Sequence, residues 1–483
     1  MTLSDFDIWY RTRYRRTSSA LTASAFIISD MLGVMLSIGW GFFWVRIYYF
    51  IFPGHINFKS FVTYWPYLPG FLLIFIISNL YPGVSLAPAE EMKRLCIGSI
   101  FAYGGIIMSR LIEKNVWDAI NTAFLISCFF STVILLGARS ITHLFLHKTK
   151  LGGIPAVIYG TGSTGRYVAE CLLNNIRTGY IPVLFLDDNN SGEDEIFNIP
   201  VIHDTSISHE IVKRYNIKMA IVAMPELDAG NLKNLLNKSV SAFRYNVLIP
   251  NFFNISNIWM SVRDFSGILG IETSHKFKLN FNRGIKRTMD ILFVLIGGII
   301  ILPFLLLIAL LIKITSPGPV MYKHKRLGLN GKPFYTYKFR TMKKDAEQQL
   351  ERILESDPVI REEWEKNRKI KNDPRITVVG KILRRISFDE FPQLINIIKG
   401  EMSLVGPRPV VNDEIEKYGD DFDRVFSIKP GLTGLWQVSG RSDTNYRDRI
   451  SYDTYYLQSW SVWLDLWIIL KTFGSIIIGK GAY

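Results

Sequence analysis

Four apolar segments of membrane-spanning length fill most of the first 140 residues, at about 20–48, 66–82, 95–112 and 116–137. A helix of about 20 apolar residues crosses a hydrocarbon core of about 30 Å, so each segment is a candidate span. Basic residues precede the first segment (Arg11, Arg13, Arg15 and Arg16) and others follow the fourth. The positive-inside rule therefore predicts a four-helix transmembrane bundle over residues 1–150 with both ends in the cytoplasm.

One acidic residue, Asp30, lies inside the first segment. An acid within the membrane is often functional because its burial is costly. Other charges in these segments, such as Arg46 and Arg110, lie near segment ends. We expect no second charge deep in the membrane to accompany Asp30, and therefore expect Asp30 to have a structural role.

Charge and cysteine content narrow the classes of protein further. Lys and Arg exceed Asp and Glu by 14, which favours anionic partners. Beside so many apolar segments, a membrane surface and phosphorylated substrates are favoured over nucleic acid. The three cysteines are too widely spaced for a disulfide scaffold or a cysteine zinc site.

Strand and helix patterns alternate over residues 151–252, which predicts a cytoplasmic Rossmann-like domain with a parallel sheet. A strand over Ile154–Gly160 leads into Gly160, Gly162 and Gly165, and Asp187 follows at the end of the next strand. This is the spacing of a dinucleotide-binding loop. The glycines are candidate cofactor contacts, but the same loop also fits a domain that is kept for structure alone. The chain has no Tyr-x-x-x-Lys pair and no Gly-Lys-Ser/Thr sequence, which argues against a short-chain dehydratase and a P-loop ATPase.

A fifth apolar run, Ile291–Ile312, follows a connector over residues 253–283. Both flanks of the run are basic, and Pro303 removes one helix hydrogen bond inside it. A helix that breaks at Pro303 and returns to the cytoplasmic face keeps both basic flanks on one side. We therefore predict a re-entrant membrane helix at the start of a domain over residues 284–483.

Two further elements are predicted in this last domain. Asn330-Gly331 between strand-like segments indicates a β-hairpin with a type I′ turn. Apolar and tryptophan residues recur at helical spacing over Trp460–Ile478. That pattern fits either an interfacial amphipathic helix or a core helix.

The sequence Ser387-Phe388-Asp389-Glu390 precedes a short apolar helical run. One interpretation is a capping box between Ser387 and Glu390. The other is catalytic: a helix N-terminus and nearby cations would keep Asp389 ionised as a nucleophile, and Glu390 would be a ligand for Mg²⁺.

Cations presented beside proline or glycine turns surround this acidic pair in the sequence. Arginine suits bidentate contacts to phosphate. The candidate phosphate-binding residues are Lys338, Arg340, Arg375, Arg384, Arg408 and Arg441. Pro407 and Pro409 are predicted to hold Arg408 rigidly.

Together these motifs resemble the bacterial polyprenyl-phosphate hexose-1-phosphate transferases, of the monotopic phosphoglycosyl transferase superfamily. The resemblance covers about 200 residues, and the four spans with a Rossmann-like domain are similar to the long-form members. The motifs that carry it, in chain order, are Lys286–Asp290, the run with Pro303, Ser316–Pro319, Tyr337–Met342, Asp389-Glu390 with Pro392–Leu394, Gly400–Pro409 and Pro430–Arg441.

The resemblance implies an enzyme that uses a UDP-hexose and undecaprenyl phosphate, with Mg²⁺ as cofactor. Asp389 would attack the sugar-bearing phosphorus, and Lys286, Arg287 and Asp290 would lie where the lipid phosphate binds. It also implies a homodimer in the bacterial inner membrane, with the active site on the cytoplasmic face.

The whole chain is most similar to galactose-type members that start O-antigen synthesis, while glucose stays open. Two other functions stay open as alternatives: a membrane-bound nucleotide-sugar dehydratase or epimerase, and a non-enzymatic scaffold for polysaccharide export.

Overall fold

The computed structural model describes residues 3–14, 19–51, 64–84, 86–149, 151–175, 178–189, 192–249, 259–265, 268–274, 280–343, 345–356, 361, 370, 373–439 and 446–478. The chain divides into two compact units, residues 1–254 and 255–483. Each unit is described by itself below.

The first unit combines apolar helices with a six-stranded sheet. Its helices are α1 (Leu3–Tyr14), α2 (Ser19–Ile51), α3 (Leu68–Ile77), α4 (Pro88–Lys114), α5 (Ala119–Thr149), α6 (Ser163–Asn174), α7 (Ser208–Tyr215) and α8 (Ala229–Lys238). Its strands are β1 (Ile154–Tyr159), β2 (Tyr180–Leu186), β3 (Glu195–Ile196), β4 (Ile199–Ile202), β5 (Met219–Val222) and β6 (Tyr245–Leu248).

Three of the four predicted N-terminal spans are helices long and apolar enough to cross a membrane, namely α2, α4 and α5. The second predicted span is shorter than expected, because α3 has ten residues and a helix of that length rises only about 15 Å. Phe71 and Phe75 of α3 nevertheless pack into the bundle core, beside Tyr103 of α4 and Phe124 of α5. The bundle within the described residues is therefore three long helices and one short one.

Asp30 has a buried basic partner, which corrects the expectation that no second charge accompanies it. Arg139 of α5 donates to both carboxylate oxygens of Asp30, at 2.8 and 2.6 Å, and to Glu91 at 2.9 Å. The Tyr81 hydroxyl donates to Asp30 as well, at 2.8 Å. Arg139 was missed because α5 continues to Thr149, about three turns beyond the predicted end of the fourth span.

The sheet has the strand order β3-β4-β2-β1-β5-β6 and is parallel except for β3. With β1 at the centre and the order reversing on either side of it, this is the Rossmann-like arrangement that the sequence predicts. Helix α1 packs on this sheet rather than on the membrane helices. Phe6 and Tyr10 join the buried cluster that contains Tyr159, and both rings contact Tyr215 of α7.

The second unit begins with a β-hairpin, β7 (Trp259–Phe265) and β8 (Ile268–Ser274), where the sequence suggests only a connector. Its helices are α9 (Asn280–Thr315), α10 (Ala346–Ser356), α11 (Val378–Arg385), α12 (Leu394–Lys399), α13 (Ile415–Tyr418), α14 (Asp421–Val425), α15 (Leu435–Ser439), α16 (Tyr446–Ser459) and α17 (Val462–Ile478). Its remaining strands are β9 (Met321–Leu327), β10 (Pro333–Phe339), β11 (Ser403–Val405) and β12 (Gly431–Thr433).

Helix α9 is the fourth helix of membrane-spanning length. It is assigned as one helix with Pro303 inside it, rather than as two helices with a break between them. Proline removes a single hydrogen bond, so a helix can continue through it with a bend. Val294, in the first half of α9, packs with Ile397 and Met402. Ile312, near the other end, packs with Phe339 and Leu383.

The structure decides two smaller predictions, on the hairpin turn and on the last helix. The hairpin of β9 and β10 forms, but its turn is longer than two residues, because Leu327 pairs with Pro333. Asn330 and Gly331 both adopt positive φ within that turn. In α17, Leu464 and Ile468 are buried, as is Trp460 just before the helix, while Leu470 and Phe473 are exposed. One face of the helix is therefore core, and the other is apolar and exposed.

Candidate active site

Asp389 and Glu390 lie in a 3₁₀ helix, Phe388–Gln393, that leads directly into α12. Ser387 precedes it in the left-handed conformation, at φ 57°, and its side chain makes no cap hydrogen bond. The capping-box interpretation is therefore wrong, because Ser387 is turned away from the helix and Glu390 is engaged elsewhere. The tight 3₁₀ turn presents the two adjacent carboxylates in different directions.

Lys338 faces Glu390 because β10 is held against α12 by a buried side chain. Asn396 of α12 accepts a hydrogen bond from the Tyr337 N–H at 3.1 Å and donates to the Tyr335 carbonyl at 2.7 Å. An amide side chain thus satisfies backbone groups of this strand as a neighbouring strand would. The next residue along, Lys338, then places its ammonium 2.6 Å from the Glu390 carboxylate.

Of the two acidic residues, Glu390 has the closer contacts with cations. Arg408 lies 3.4 Å from the oxygen that Lys338 contacts. Burial opposes the ionisation of Glu390, but Arg408, Lys338 and Arg326 outweigh it and lower its pKa to about 2. Glu390 is therefore a fixed negative charge at neutral pH.

Asp389 is shifted in the opposite direction. Burial and the adjacent Glu390 carboxylate raise its pKa, while Lys338 and Arg384 act against that rise. The sequence argument expected the cations to dominate at Asp389. The structure instead directs them mostly to Glu390 and leaves Asp389 the more basic carboxylate, which favours attack on an electrophile once it is ionised.

A shallow cleft opens beside Glu390. It is lined by Arg326, Thr336, Lys338, Glu390, Gln393, Arg408, Pro409, Gly431, Leu432 and Gln437, and Asp389 is not among these residues. Three cations and one carboxylate on one cleft suit contacts to a phosphate group.

The glycine-rich loop shapes the floor of the cleft through backbone contacts. β11 and β12 pair in parallel, and the Gly431 N–H donates to the Pro407 carbonyl at 2.9 Å. A Cβ at Gly431 would collide with the backbone of Gly406. Arg408 and Pro409 line the cleft, and the rigid placement of Arg408 by Pro407 and Pro409 stays a prediction. Arg441, at the end of this loop, lies outside the described residues.

Two of the predicted phosphate-binding arginines have other partners. Arg340 donates to the carbonyls of Ser316 and Pro317, at 2.6 and 2.9 Å, and so fixes the turn after α9. Arg375 is buried and forms a two-point ion pair with Asp373. Arg384 donates to Thr341 at 2.9 Å and lies close enough to Asp389 to influence its pKa.

The residues predicted to surround a lipid phosphate are also engaged within the unit. Lys286 pairs with Asp465 at 2.8 Å, and Asp290 accepts from the Ser403 hydroxyl and the Leu404 N–H, both at 3.0 Å. Arg287 donates to the carbonyls of Ile397 and Ile398 at the end of α12. These contacts anchor the first turns of α9 to the unit.

Sequence reasoning missed His324 and Asn396 as site residues, and it counted Arg326 only among the cations around the hairpin. In the hairpin register, His324 lies opposite Thr336 and Arg326 opposite Phe334, so they share the Lys338 face. Burial together with Arg326 and Lys338 lowers the pKa of His324 to about 4. The two-residue period of β9 would have found both. Asn396 carries no local signal, since it acts across the fold.

The Gly160 loop has the backbone conformation of a dinucleotide site, but the acidic residue of the motif already has a hydrogen-bond partner within the protein. Gly160 adopts φ 106°, and a Cβ at Gly165 would collide with the Gly160 carbonyl. Asp187, which in such sites holds a ribose, accepts from both the N–H and the hydroxyl of Thr161 at 2.8 and 2.7 Å. The arrangement favours the interpretation that the domain is structural.

Comparison with known proteins places the acidic pair within a segment that matches a sugar transferase family. Residues 281–479 match the family of bacterial sugar transferases, and residues 80–243 match a CoA-binding domain family. The chain is 36% identical over 377 residues to the undecaprenyl-phosphate galactose phosphotransferase of Salmonella typhimurium, covering 77% of this chain and 78% of that protein. This chain belongs to the bacterial sugar transferase family. It is therefore a transferase, and the resemblance found in its motifs is confirmed.

Two other relatives show how much of the chain is similar to known sugar transferases. The exopolysaccharide production protein ExoY of Rhizobium meliloti is 48% identical over 200 residues, which is 41% of this chain and 88% of that protein. The UDP-glucose:undecaprenyl-phosphate glucose-1-phosphate transferase of Escherichia coli is 33% identical over 282 residues, covering 57% of this chain and 58% of that protein.

Proposed function

We propose that the protein transfers galactose 1-phosphate from UDP-galactose to undecaprenyl phosphate and releases UMP. The observation that carries this proposal is the division of roles within the acidic pair. Asp389 has a raised pKa, whereas Glu390 is held ionised by Lys338 and Arg408. One carboxylate is thus suited to attack phosphorus, and the other to organise the charges around it.

In the first step, a carboxylate oxygen of Asp389 attacks the β-phosphorus of the UDP-sugar. The bond between that phosphorus and the bridging oxygen breaks, and UMP leaves with the electron pair. Lys338, Arg408 and Arg326 face the cleft as cations and would stabilise the charge on the phosphoryl oxygens.

In the second step, a phosphate oxygen of undecaprenyl phosphate attacks the phosphorus of the aspartyl intermediate. The phosphorus–aspartate bond breaks, Asp389 is regenerated as a carboxylate, and the product is a lipid diphosphate sugar. Because UMP leaves before the acceptor reacts, the kinetics are expected to be ping-pong.

Glu390 is the residue that would hold Mg²⁺. Lys338 and Arg408 both contact its Oε1, so Oε2 remains available for a metal ion among the described residues. No cluster of three or more His, Cys, Asp or Glu residues occurs in the described parts of the chain. This fits Mg²⁺, which often binds one or two carboxylates together with substrate phosphates. Bound there, the ion would offset the negative charge of the diphosphate.

The packing of α9 supports a re-entrant topology with the active site at the cytoplasmic face of the inner membrane. The ends of a spanning helix lie on opposite sides of the hydrocarbon core. Here Lys286 and Ile312, near opposite ends of α9, pack against the same polar unit. The apolar residues between them, such as Ile299 and Phe304, are exposed and would face lipid. We also expect a homodimer, which a mass measurement in native-like lipid would test.

The deciding experiment identifies the nucleotide product. The purified full-length protein is given UDP-galactose, undecaprenyl phosphate and Mg²⁺, and UMP is the expected product. UDP would indicate glycosyl transfer and would contradict the mechanism. Asp389→Asn should abolish UMP release, and UDP-glucose in a parallel assay tests the choice of sugar.

A further inference from the structure

We propose that Arg287 and Lys429 form a binding site for the phosphate of an anionic phospholipid, at the membrane interface beside α9. The two cations meet at Gly400, the residue that ends α12 with φ 81°. A Cβ at Gly400 would lie 3.5 Å from Arg287 Nη2 and 3.5 Å from Lys429 Nζ. The two nitrogens are therefore no more than about 7 Å apart, and one phosphate group placed between them can contact both.

Of the two cations, Lys429 has fewer hydrogen-bond and ion-pair partners. Within the parts of the chain that the structure describes, no hydrogen bond or ion pair to its ammonium is found, although the side chain is half-buried. Burial and Arg287 lower the pKa of Lys429, and the Asp290 carboxylate acts against that change. Asp290 is shared with Ser403 and Leu404. An anion between the cations would relieve the repulsion of two like charges.

Position along α9 points to a lipid as the source of the phosphate. Arg287 lies four residues, about 6 Å of helix, before the apolar run that begins at Ile291. Basic side chains at this level meet phospholipid headgroups and are attracted to an anionic surface. Lys286 is paired with Asp465. Arg287 uses one N–H of each terminal nitrogen for the Ile397 and Ile398 carbonyls, so its remaining N–H groups and the Lys429 ammonium are left for an anion at the interface.

Distance from the acidic pair argues against the reacting phosphate of the acceptor as the occupant. Gly400 lies ten residues after Glu390, along a 3₁₀ turn and then α12. At 1.5–2.0 Å per residue the separation is about 15–20 Å. A phosphate at Gly400 would be too far from Asp389 to attack an intermediate there. The site would instead anchor the first turns of α9 in the headgroup layer.

The test measures which lipids the full-length protein retains after extraction in a mild detergent. The variants are Lys429→Gln and Lys429→Arg, with Lys332→Gln as the control for an exposed lysine in the same unit. We expect Lys429→Gln to lower the retained phosphatidylglycerol at least threefold, while Lys429→Arg and the control retain the wild-type amount. A second measurement needs no variant: the delipidated wild-type protein should bind phosphatidylglycerol vesicles more tightly than phosphatidylcholine vesicles.

Two results would overturn the proposal. Equal retention of phosphatidylglycerol by the wild type and Lys429→Gln would mean that the cations hold no lipid. Displacement of the retained phospholipid by undecaprenyl phosphate would assign the site to the acceptor. The proposal rests on the membrane association of α9 and not on the chemistry at Asp389. Because the test measures bound lipid rather than UMP, its failure is distinguishable from failure of the proposed reaction.

Discussion

The Lys338 ammonium lies 2.6 Å from the Glu390 carboxylate, and both side chains are mostly removed from solvent. Lys338 is placed there by the hairpin register and by Asn396, whereas Glu390 is placed by the 3₁₀ turn. Their contact joins two segments that are 52 residues apart in the chain.

Replacement of Lys338 by methionine should lower kcat/KM for the UDP-sugar by about 30-fold or more. Removing one member of a buried, hydrogen-bonded charge pair typically costs about 2–5 kcal/mol. The lower end of that range applies here because Arg408 would still lie 3.4 Å from Glu390. Lys325→Met is the matched control, since Lys325 is exposed on the opposite face of β9. Steady-state UMP release measures both. Similar rates for Lys338→Met and the control would show that the pair does not support catalysis.

The acidic limit of the pH profile should depend on Glu390. Asp389 must be ionised to attack, and its raised pKa means that activity is lost as pH falls through that value. Glu390→Gln removes a neighbouring negative charge and frees Lys338 and Arg408, so it should move the acidic limb to lower pH. The measurement is the rate at which the first equivalent of UMP is released, as a function of pH. This rate can be followed even in a slow variant. A limb that moves to higher pH would contradict the assignment of Asp389 as the titrating group.

The buried network around Arg139 should dominate the stability of the membrane helices. Asp30→Ala leaves the Arg139 guanidinium with Glu91 as its carboxylate partner. We expect a loss of about 3–5 kcal/mol, the usual effect of breaking a buried pair. Thermal unfolding in detergent measures it. Glu90→Ala is the control, because Glu90 makes only partly exposed pairs with Lys93 and Arg94 and should change stability by less than about 1 kcal/mol. Equal effects of the two changes would contradict the prediction.

Gly431→Ala should prevent the second unit from folding correctly. The added methyl group would collide with the Gly406 backbone, which has no side-chain freedom with which to move away. Gly474→Ala provides the contrast, since nothing lies within 4 Å of its Cβ position in α17. That change should be neutral or slightly stabilising, by up to about 1 kcal/mol. Yield of monodisperse protein and the unfolding midpoint distinguish the two. A soluble Gly431→Ala protein with wild-type stability would refute the prediction.

Local patterns predicted most of the elements but few of the pairings between them. The strands around Gly160 and the β9–β10 hairpin follow from short-range periodicity and turn residues, and both formed. The partners of Asp30, Glu390 and Lys286 lie 52 to 179 residues away in the chain. No pattern within one segment contains that information. Arg139, for example, looked like a solvated charge after the fourth span, but it is a buried ion-pair partner.

The cations near Asp389 show the same limit. Sequence proximity to proline and glycine singled out Arg408, which lines the cleft. It also singled out Arg340 and Arg375, which the fold uses to fix a turn and to neutralise Asp373. Arg326 had the weaker signal and occupies the cleft, because a strand face and not a turn presents it.

The attachment of α1 to the sheet has a mechanical consequence for the first unit. The chain is tied to the α/β domain before α2 begins, through Phe6 and Tyr10, and again after α5 ends, where the Gly153 N–H donates to Thr22 at 3.1 Å. The first and last helices of the bundle, α2 and α5, are thus fixed to the α/β domain at their polar ends. Rotation of the α/β domain would therefore be transmitted to the bundle as a twist, while the opposite ends of α4 and α5 are held together by Arg110, which donates to Asn121 at 3.0 Å.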